Sequence, residues 1–242
     1  RGITLDRLFS QFKGKEHGFT KGRDRSFHFG SKAHKICGMI SHLGPQLGIA
    51  DGIALAHKLD KSGKATFVFT GDGGASEGDF HEAVNVAAVW QLPVIIGIEN
   101  NSWGLSTPSA EQYRCAHFTD KAIGYGIPAE DAIQVDGNDI LAVYNTVRKC
   151  VESLREKPRP IILEFKTFRI RGHEEASGTK YYPEGLIEKW QEVDPVERFT
   201  AHLKASGGLR NEEESEMQEM HKAAILEGLK ISSDLPDIVA NV

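Results

Sequence analysis

The segment TFVFTGDGG at residues 66–74 decides the fold class. Its first four residues are β-branched or aromatic, which favours a buried strand, and this strand ends directly in the turn Gly71-Asp72-Gly73. A second apolar strand, Val94–Ile98, ends at Asn100-Asn101. Between the strands, apolar side chains recur at helical spacing on one face: Phe80, Ala83, Val84, Ala87 and Ala88. This order predicts a parallel strand–helix–strand unit.

The same alternation extends in both directions from this unit. We expect a strand near Ile133–Val135, a helix capped by Asp139, and a strand Ile161–Phe165 introduced by Pro160. The predicted helix places four apolar residues on one side: Ile140, Val143, Tyr144 and Val147. Residues 1–35 are polar and interrupted by glycine, which indicates a short helix followed by an extended loop. The prediction is an α/β fold, a mostly parallel sheet with helices on both faces.

The composition changes from about Leu186, where acidic helical segments begin. The charged run Asn211–Glu219 is most simply a solvated helix face. We therefore predict two parts: an α/β domain over residues 1–185 and a C-terminal helical appendage over residues 186–242.

The bulk composition excludes some classes of protein. The 242 residues carry a formal net charge of −5, which provides no basic field for nucleic acid. No apolar run approaches the roughly 20 residues that span a bilayer, so we expect no membrane embedding. Three widely spaced cysteines (Cys37, Cys115, Cys150) suggest free buried thiols in a reducing compartment. The chain opens at Arg1, so we expect the natural N-terminus to be absent, which leaves any targeting segment unreadable from this sequence.

The residues that could bind an anion and a metal ion follow the two predicted strands. In open α/β sheets, ligands bind at the carboxyl ends of the strands. Glycines allow a backbone to approach an anion, and their N–H groups can point at phosphate oxygens. The Asp72 carboxylate, the Asn101 amide oxygen and a main-chain carbonyl such as that of Trp103 are hard oxygen ligands suited to Mg²⁺. Each motif alone is an ordinary turn or loop; their joint order and the 26 intervening residues, 74–99, favour a phosphate and metal site.

The chain resembles the E1 alpha subunits of 2-oxo acid dehydrogenase complexes. The Gly-Asp-Gly and Asn-Asn motifs at this spacing match the signature of thiamine-diphosphate enzymes. The wider resemblance covers most of the chain and lies in these stretches: Ser41-His42-Leu43, Gly71–Asp79, Glu99–Pro108, Glu111-Gln112-Tyr113, Val135–Asp139 and Phe168–His173. Glu111–Tyr113 and Val135–Tyr144 look closest to the branched-chain enzyme.

The resemblance implies a role for individual residues. It implies the thiamine-diphosphate-binding fold of the diphosphate-binding type, with Mg²⁺ held by Asp72, Asn101 and the Trp103 carbonyl. Gly71, Gly73 and Gly74 would contact the diphosphate. Ser41 and Leu43 would touch the aminopyrimidine, and His173 would lie beside the diphosphate and the reacting carbon.

The same side chains have plainer interpretations. His173 lies in a polar, glycine-bearing stretch and would ordinarily be a surface histidine, and only its family position suggests proton transfer. His28 is either a second active-site histidine or a half-buried packing residue. Leu43 would ordinarily belong to the core.

The resemblance also implies partners that this chain does not contain. No residue here matches the activating glutamate, which the family takes from a beta subunit or a fused beta domain. We expect an active site shared with that partner, a small 2-oxo acid substrate and a lipoyl domain of E2 as acceptor. The location would be the bacterial cytoplasm or the mitochondrial matrix. Acetoin dehydrogenase, and a non-catalytic phosphate- or nucleotide-binding module, remain the alternatives.

Two departures from the family stand out. Its members carry a Tyr-Arg pair that touches the diphosphate upstream of where this chain begins. Mitochondrial members also have a phosphorylatable serine directly after the loop histidine, where this sequence has Glu174. We therefore expect no kinase control at that position.

Overall fold

The computed structural model describes residues 1–174 and 176–239. Its contacts divide the chain into two compact units. One unit, the terminal unit, holds Arg1–Ser41 and the chain from His202 onward; the other, the central unit, is His42–Ala201. The predicted division at residue 185 concerns family domains and stays a prediction.

The described helices and strands follow the expected alternation. The helices are α1 (Leu5–Phe12), α2 (Pro45–Leu59), α3 (Gly78–Trp90), α4 (Ile140–Glu156), α5 (Leu186–Gln191), α6 (Pro195–Ala205) and α7 (Asn211–Asp234). The strands are β1 (Thr66–Gly71), β2 (Val94–Asn100), β3 (Trp103–Gly104), β4 (Thr107–Pro108), β5 (Ala132–Asp136) and β6 (Pro160–Lys166).

A four-stranded parallel sheet forms the centre of the central unit, in the order β1-β2-β6-β5. The short strands β3 and β4 pair with each other as an antiparallel hairpin directly after β2. All four strands predicted for the sheet are therefore confirmed, and each ends within a few residues of its expected boundary.

The sheet is covered on both faces, because neighbouring residues of a strand point to opposite sides. In β2, Val94 and Ile96 belong to one buried cluster and Ile95 to another. Residues of α2 and α3 complete the first cluster, and residues of α4 complete the second. The five apolar positions predicted for α3 are all buried. The predicted α/β class with helices on both faces is confirmed.

The predicted buried side of α4 is wrong in part. Asp139 caps the helix as expected, because its carboxylate accepts hydrogen bonds from the N–H groups of Leu141 and Ala142. Val143 and Val147 pack against the sheet, but Ile140 and Tyr144 are exposed. The helix instead continues its buried face through Cys150 and Leu154, which lie further along the same side.

The terminal unit is built around the contact of α1 with α7. Gly228 lies where a Cβ would come within 2.8 Å of the Leu5 Cβ, so the two helices approach closely. Lys13 donates hydrogen bonds to the Leu229 carbonyl and to two serine hydroxyls near the end of α7. The charged run that opens α7 is mostly exposed, as predicted.

Two further properties bear on the composition. Cys37, Cys115 and Cys150 are free, as predicted, but Cys37 is exposed and Cys115 is half-buried, so the prediction of buried thiols is confirmed for Cys150 alone. Within the two described ranges, no helix is both long enough and apolar enough to cross a bilayer.

Candidate functional site

The turn after β1 lies beside the end of β2, because the parallel register pairs Gly71 with Glu99. This register brings Asp72 and Asn101 to the same edge of the sheet. The turn continues as a short 3₁₀ segment, Gly74–Ser76, and α3 begins only at Gly78. The helix therefore starts four residues later than a direct turn-to-helix connection would place it.

Asp72 is buried at 1% exposure, and its position favours a ligand. Among the described residues, its Oδ2 atom has no hydrogen-bond partner. Burial raises the pKa of this carboxyl, while the backbone N–H groups of Asp72 and Gly73 and the charges of Arg169 and Lys166 act in the opposite direction. A buried oxygen without a partner costs free energy, which a bound cation would recover.

Asn100, the last residue of β2, and Asn101, directly after it, have different roles. Asn100 is buried and donates to the Glu164 carboxylate at 2.6 Å, so it belongs to the interior. The Asn101 Oδ1 atom accepts one hydrogen bond, from the Trp103 N–H at 3.0 Å. An amide oxygen has two lone pairs, so Asn101 retains an acceptor site for a ligand.

The glycines of the turn are constrained by their neighbours. A Cβ on Gly73 would lie 3.0 Å from the Gly104 Cα, and one on Gly74 would lie 2.6 Å from the Thr70 Oγ1. The β1 turn and the β3–β4 hairpin therefore approach each other through backbone alone at this point. Leu43 lies against Gly74 and is 64% exposed, so the expectation that it would ordinarily join the core does not hold.

Arg169 organises the loop that carries His173. Its Nη1 atom lies 3.0 Å from the His173 Nδ1, and its Nη2 donates to the Leu105 carbonyl at 2.8 Å and to the Tyr181 hydroxyl at 3.0 Å. Tyr182 donates back to the Arg169 carbonyl. The His173 loop is thus tied to the β3–β4 hairpin, next to the strand ends.

His28 and Ser41 belong to the terminal unit and form a cluster of their own. The Ser41 Oγ lies 3.2 Å from the His28 Nε2, and the Asp24 Oδ1 lies 3.1 Å from the His28 Nδ1. The structure therefore brings Ser41 and His28 into contact. In the central unit it places Asp72 and Asn101 at one edge of the sheet, sets Leu43 against Gly74 and Gly73 against the hairpin that begins at Trp103, and links His173 to that hairpin through Arg169.

Several contributing residues were not predicted from the sequence. Arg169 had no predicted role beyond its place in the stretch Phe168–His173, and its hydrogen-bond partners Tyr181 and Leu105 had no signal of their own. Gln112 lies against Gly104, where a Cβ would be 2.7 Å from its Oε1. Its place in the motif Glu111-Gln112-Tyr113 was the one available hint.

No group of three or more His, Cys, Asp or Glu side chains forms a metal centre in the part of the chain that the structure describes. The predicted ligand set contains one carboxylate, one amide and one carbonyl. Such a set does not require a cluster of ionisable side chains.

Known proteins and a family model are similar to this chain over most of its length. The family model described as dehydrogenase E1 component matches residues 1–239. The 2-oxoisovalerate dehydrogenase subunit alpha 2, mitochondrial, of Arabidopsis thaliana is 36% identical over 235 residues, which cover 96% of this chain and 49% of the plant protein.

Bacterial proteins are similar over a larger share of their own length. The 2-oxoisovalerate dehydrogenase subunit alpha of Bacillus subtilis (strain 168) is 35% identical, covering 97% of this chain and 71% of the relative. The pyruvate dehydrogenase E1 component subunit alpha of Rickettsia felis is 32% identical, covering 95% and 70%. This chain spans about half the length of the plant relative. From the family match over nearly its whole length, the chain belongs to the dehydrogenase E1 component family.

Proposed function

We propose that this chain is the alpha-type part of a thiamine-diphosphate-dependent 2-oxo acid dehydrogenase E1. In this role it anchors the cofactor through its diphosphate and Mg²⁺. The observation that carries the proposal is the unpartnered Oδ2 of buried Asp72, at the strand edge that also holds Asn101.

The donor set fits Mg²⁺. Asp72, Asn101 and the Trp103 carbonyl would supply three hard oxygen ligands, and diphosphate oxygens and water would complete the octahedron that this ion prefers. Gly71, Gly73 and Gly74 would leave the backbone N–H groups open to the diphosphate. The close approach of Gly73 to Gly104 is a separate packing reason for a glycine at that position.

Thiamine diphosphate, when bound, supplies the electron sink that lets CO₂ leave a 2-oxo acid. The protein supplies anchoring, orientation and protons. A guanidinium only donates hydrogen bonds, so the Arg169 contact makes the His173 Nδ1 an acceptor. The neutral imidazole then carries its proton on Nε2, from which it can donate to a reacting oxygen.

We propose roles for Ser41, Leu43 and His28 as well. Ser41 and Leu43 would contact the aminopyrimidine, and the 64% exposure of Leu43 leaves its side chain available for such a contact. His28 would serve as a second active-site histidine, and its contacts with Asp24 and Ser41 hold both ring nitrogens in hydrogen bonds.

For the substrate, we propose a branched-chain 2-oxo acid. The similar plant and Bacillus proteins are named as 2-oxoisovalerate dehydrogenase subunits, at 35–36% identity, against 32% for the Rickettsia pyruvate dehydrogenase subunit. A beta-type partner would supply the activating glutamate, and the lipoyl domain of E2 would accept the acyl group. Pyruvate and acetoin are the competing substrates.

Calorimetric titration tests the anchor directly. Thiamine diphosphate should bind with a strict requirement for Mg²⁺, and Asp72→Asn should weaken binding by about 100-fold or more, because the isosteric amide removes the charged ligand. Asp60→Asn, at the exposed end of α2, is the matched control and should bind normally. Binding of ATP or NAD at this site, or Mg²⁺-independent binding, would favour a general phosphate-binding module instead.

The substrate is tested with the beta-type partner present. The co-expressed complex should decarboxylate 2-oxoisovalerate faster than pyruvate, and acetoin should not be consumed. The isolated chain should bind the cofactor but show no turnover, and turnover by the chain alone would contradict the shared active site.

A further inference from the structure

A surface cavity of about 460 Å³ lies between α2 and α3 in the central unit. Its lining includes three carboxyl side chains, Asp51, Asp79 and Glu82, and the described residues around it contribute no Lys, Arg or His. Asp79 and Glu82 are exposed, whereas Asp51 is buried. The cavity is therefore strongly acidic.

Asp51 is the unusual member of this lining. It is only 5% exposed, and neither of its carboxyl oxygens has a hydrogen-bond partner among the described residues. Burial raises the pKa of Asp51 to about 7. Buried carboxylates are normally paired or hydrogen-bonded, so this one points to a partner outside the chain.

The glycines on the same side of α2 indicate how closely a partner approaches. Gly48 and Gly52 also line the cavity, and a Cβ at either position would meet nothing within 4 Å. Neither has a positive φ. Glycine in a helix interior is destabilising, and here neither backbone conformation nor internal packing requires it. It leaves a smooth helix surface that another backbone can reach.

The chemistry of the cavity selects a cationic side chain as the occupant. A bare metal ion fits poorly, because within the described residues these carboxyl groups do not cluster into a metal-binding set. A second copy of this chain matches the charge less well, because its own formal net charge is −5. An arginine or lysine side chain from a different protein chain matches both the negative charge and the depth of the cavity. The half-exposed Trp90 on the cavity lining adds an apolar contact for its aliphatic stem.

We propose that this α2–α3 cavity is a docking site for a basic side chain of a different protein subunit, whose cationic group pairs with Asp51. The proposal rests on the proposed function only in its choice of subunit for the test, the beta-type partner. A buried pair of this kind contributes to specificity, since removing one member leaves the other charged and unpaired.

Sedimentation velocity on dilution series of the co-expressed alpha–beta complex tests the pairing. Asp51→Asn should raise the dissociation constant about 30-fold or more, the effect expected when one member of a buried charged pair is lost. Gly48→Ala should also weaken association, because its methyl group meets only the partner. Asp60→Asn makes the same charge change outside the cavity and should leave the dissociation constant unchanged. Circular dichroism establishes that each variant is folded, and Gly48→Ala provides the test if Asp51→Asn is not.

The outcomes separate this inference from the proposed function. Wild-type assembly with equal dissociation constants for Asp51→Asn and Asp60→Asn would overturn the docking site, as would a wild-type chain that does not associate with the beta-type chain. The proposed function is decided independently by Mg²⁺-dependent binding of thiamine diphosphate to the isolated chain. An assembly defect with intact cofactor binding supports the docking site alone.

Discussion

At the scale of single residues, two buried aspartates have carboxyl oxygens without a hydrogen-bond partner among the described residues: Oδ2 of Asp72 and both oxygens of Asp51. Asp72 lies at the strand edge beside Asn101, where a cation would bind, and Asp51 lies on the α2–α3 cavity. Burial raises the pKa of both carboxyl groups. Each residue therefore costs folding stability in the isolated chain, and the proposed ligand or partner recovers that cost.

The loss of folding stability caused by burying the Asp51 carboxyl depends on pH. Its folded-state pKa, about 7, lies above the usual value of 3.8, so the folded chain binds the proton more tightly than the unfolded chain. Stability from this group is lost as pH rises from about 4 to about 7. Because the carboxyl lies on an open cavity, we expect Asp51→Asn to raise the unfolding free energy at pH 8 by only about 1–2 kcal/mol.

Urea denaturation of the isolated chain at pH 4.5, 6 and 8 measures this difference. The advantage of Asp51→Asn should grow with pH, and Asp60→Asn should show no such trend. An advantage that is constant across the pH range would mean that the carboxyl stays ionised, or finds a partner, in the folded chain.

Arg169 is the third residue with a decisive position, since one guanidinium serves His173, the Leu105 carbonyl and the Tyr181 hydroxyl. Arg169→Lys keeps the positive charge but loses the planar guanidinium, whose several N–H donors can serve three acceptors at once. We expect faster proteolytic cleavage near His173 and a loss of at least about 10-fold in kcat, with little change in cofactor affinity. Limited proteolysis and steady-state assays of the alpha–beta complex measure both effects.

The matched control is Arg171→Lys in the same loop, which should behave as wild type. If Arg169→Lys leaves the protease pattern unchanged, the guanidinium does not hold the loop.

At the scale of elements, the strands and α3 were predictable because their signals are local. A continuous apolar run between turn residues indicates a buried parallel strand, and β1, β2 and β6 all have one. The Asp139 cap was equally local, since it depends on the backbone of the first helical turn. Elements whose sequence pattern and tertiary surroundings agree are read correctly from sequence.

The buried face of α4 was not predictable in full. A helical repeat defines a stripe of apolar residues, but the sheet decides which part of the stripe it covers. Here the sheet packs against Val143, Val147 and Leu154 and leaves Tyr144 exposed. The Arg169–Tyr181 contact escaped prediction for a related reason, because two loop positions 12 residues apart meet only after the loop folds.

At the scale of the whole molecule, the candidate site depends on both order and register. The sequence signature names Asp72 and Asn101, and the parallel pairing of β1 with β2 brings their segments together. The grouping of the chain termini into one unit had no signal in the sequence, because α1 and α7 meet across nearly the full length of the chain.

A global consequence follows if the strand-edge site binds its ligand only in the folded state. At a thiamine diphosphate concentration 100 times the dissociation constant, with Mg²⁺ present, the unfolding free energy should rise by about 2.7 kcal/mol. The midpoint of thermal unfolding should then rise by several degrees. Mg²⁺ alone or thiamine diphosphate with chelator should give a much smaller shift.

Differential scanning calorimetry measures the effect, with Asp72→Asn as the variant that should not respond. A full shift in that variant would place the stabilising ligand elsewhere on the chain.

The contact between Arg169 and His173 couples the position of the loop to the tautomer of the His173 imidazole. Because the guanidinium both seats the loop on Leu105 and occupies the Nδ1 lone pair, detaching the loop also removes the bias between the two imidazole tautomers. In the proposed active site, closure of the His173 loop and placement of the imidazole proton on Nε2 would then be one equilibrium. A kinetic isotope effect and a loop-opening rate should therefore respond together to any change at Arg169.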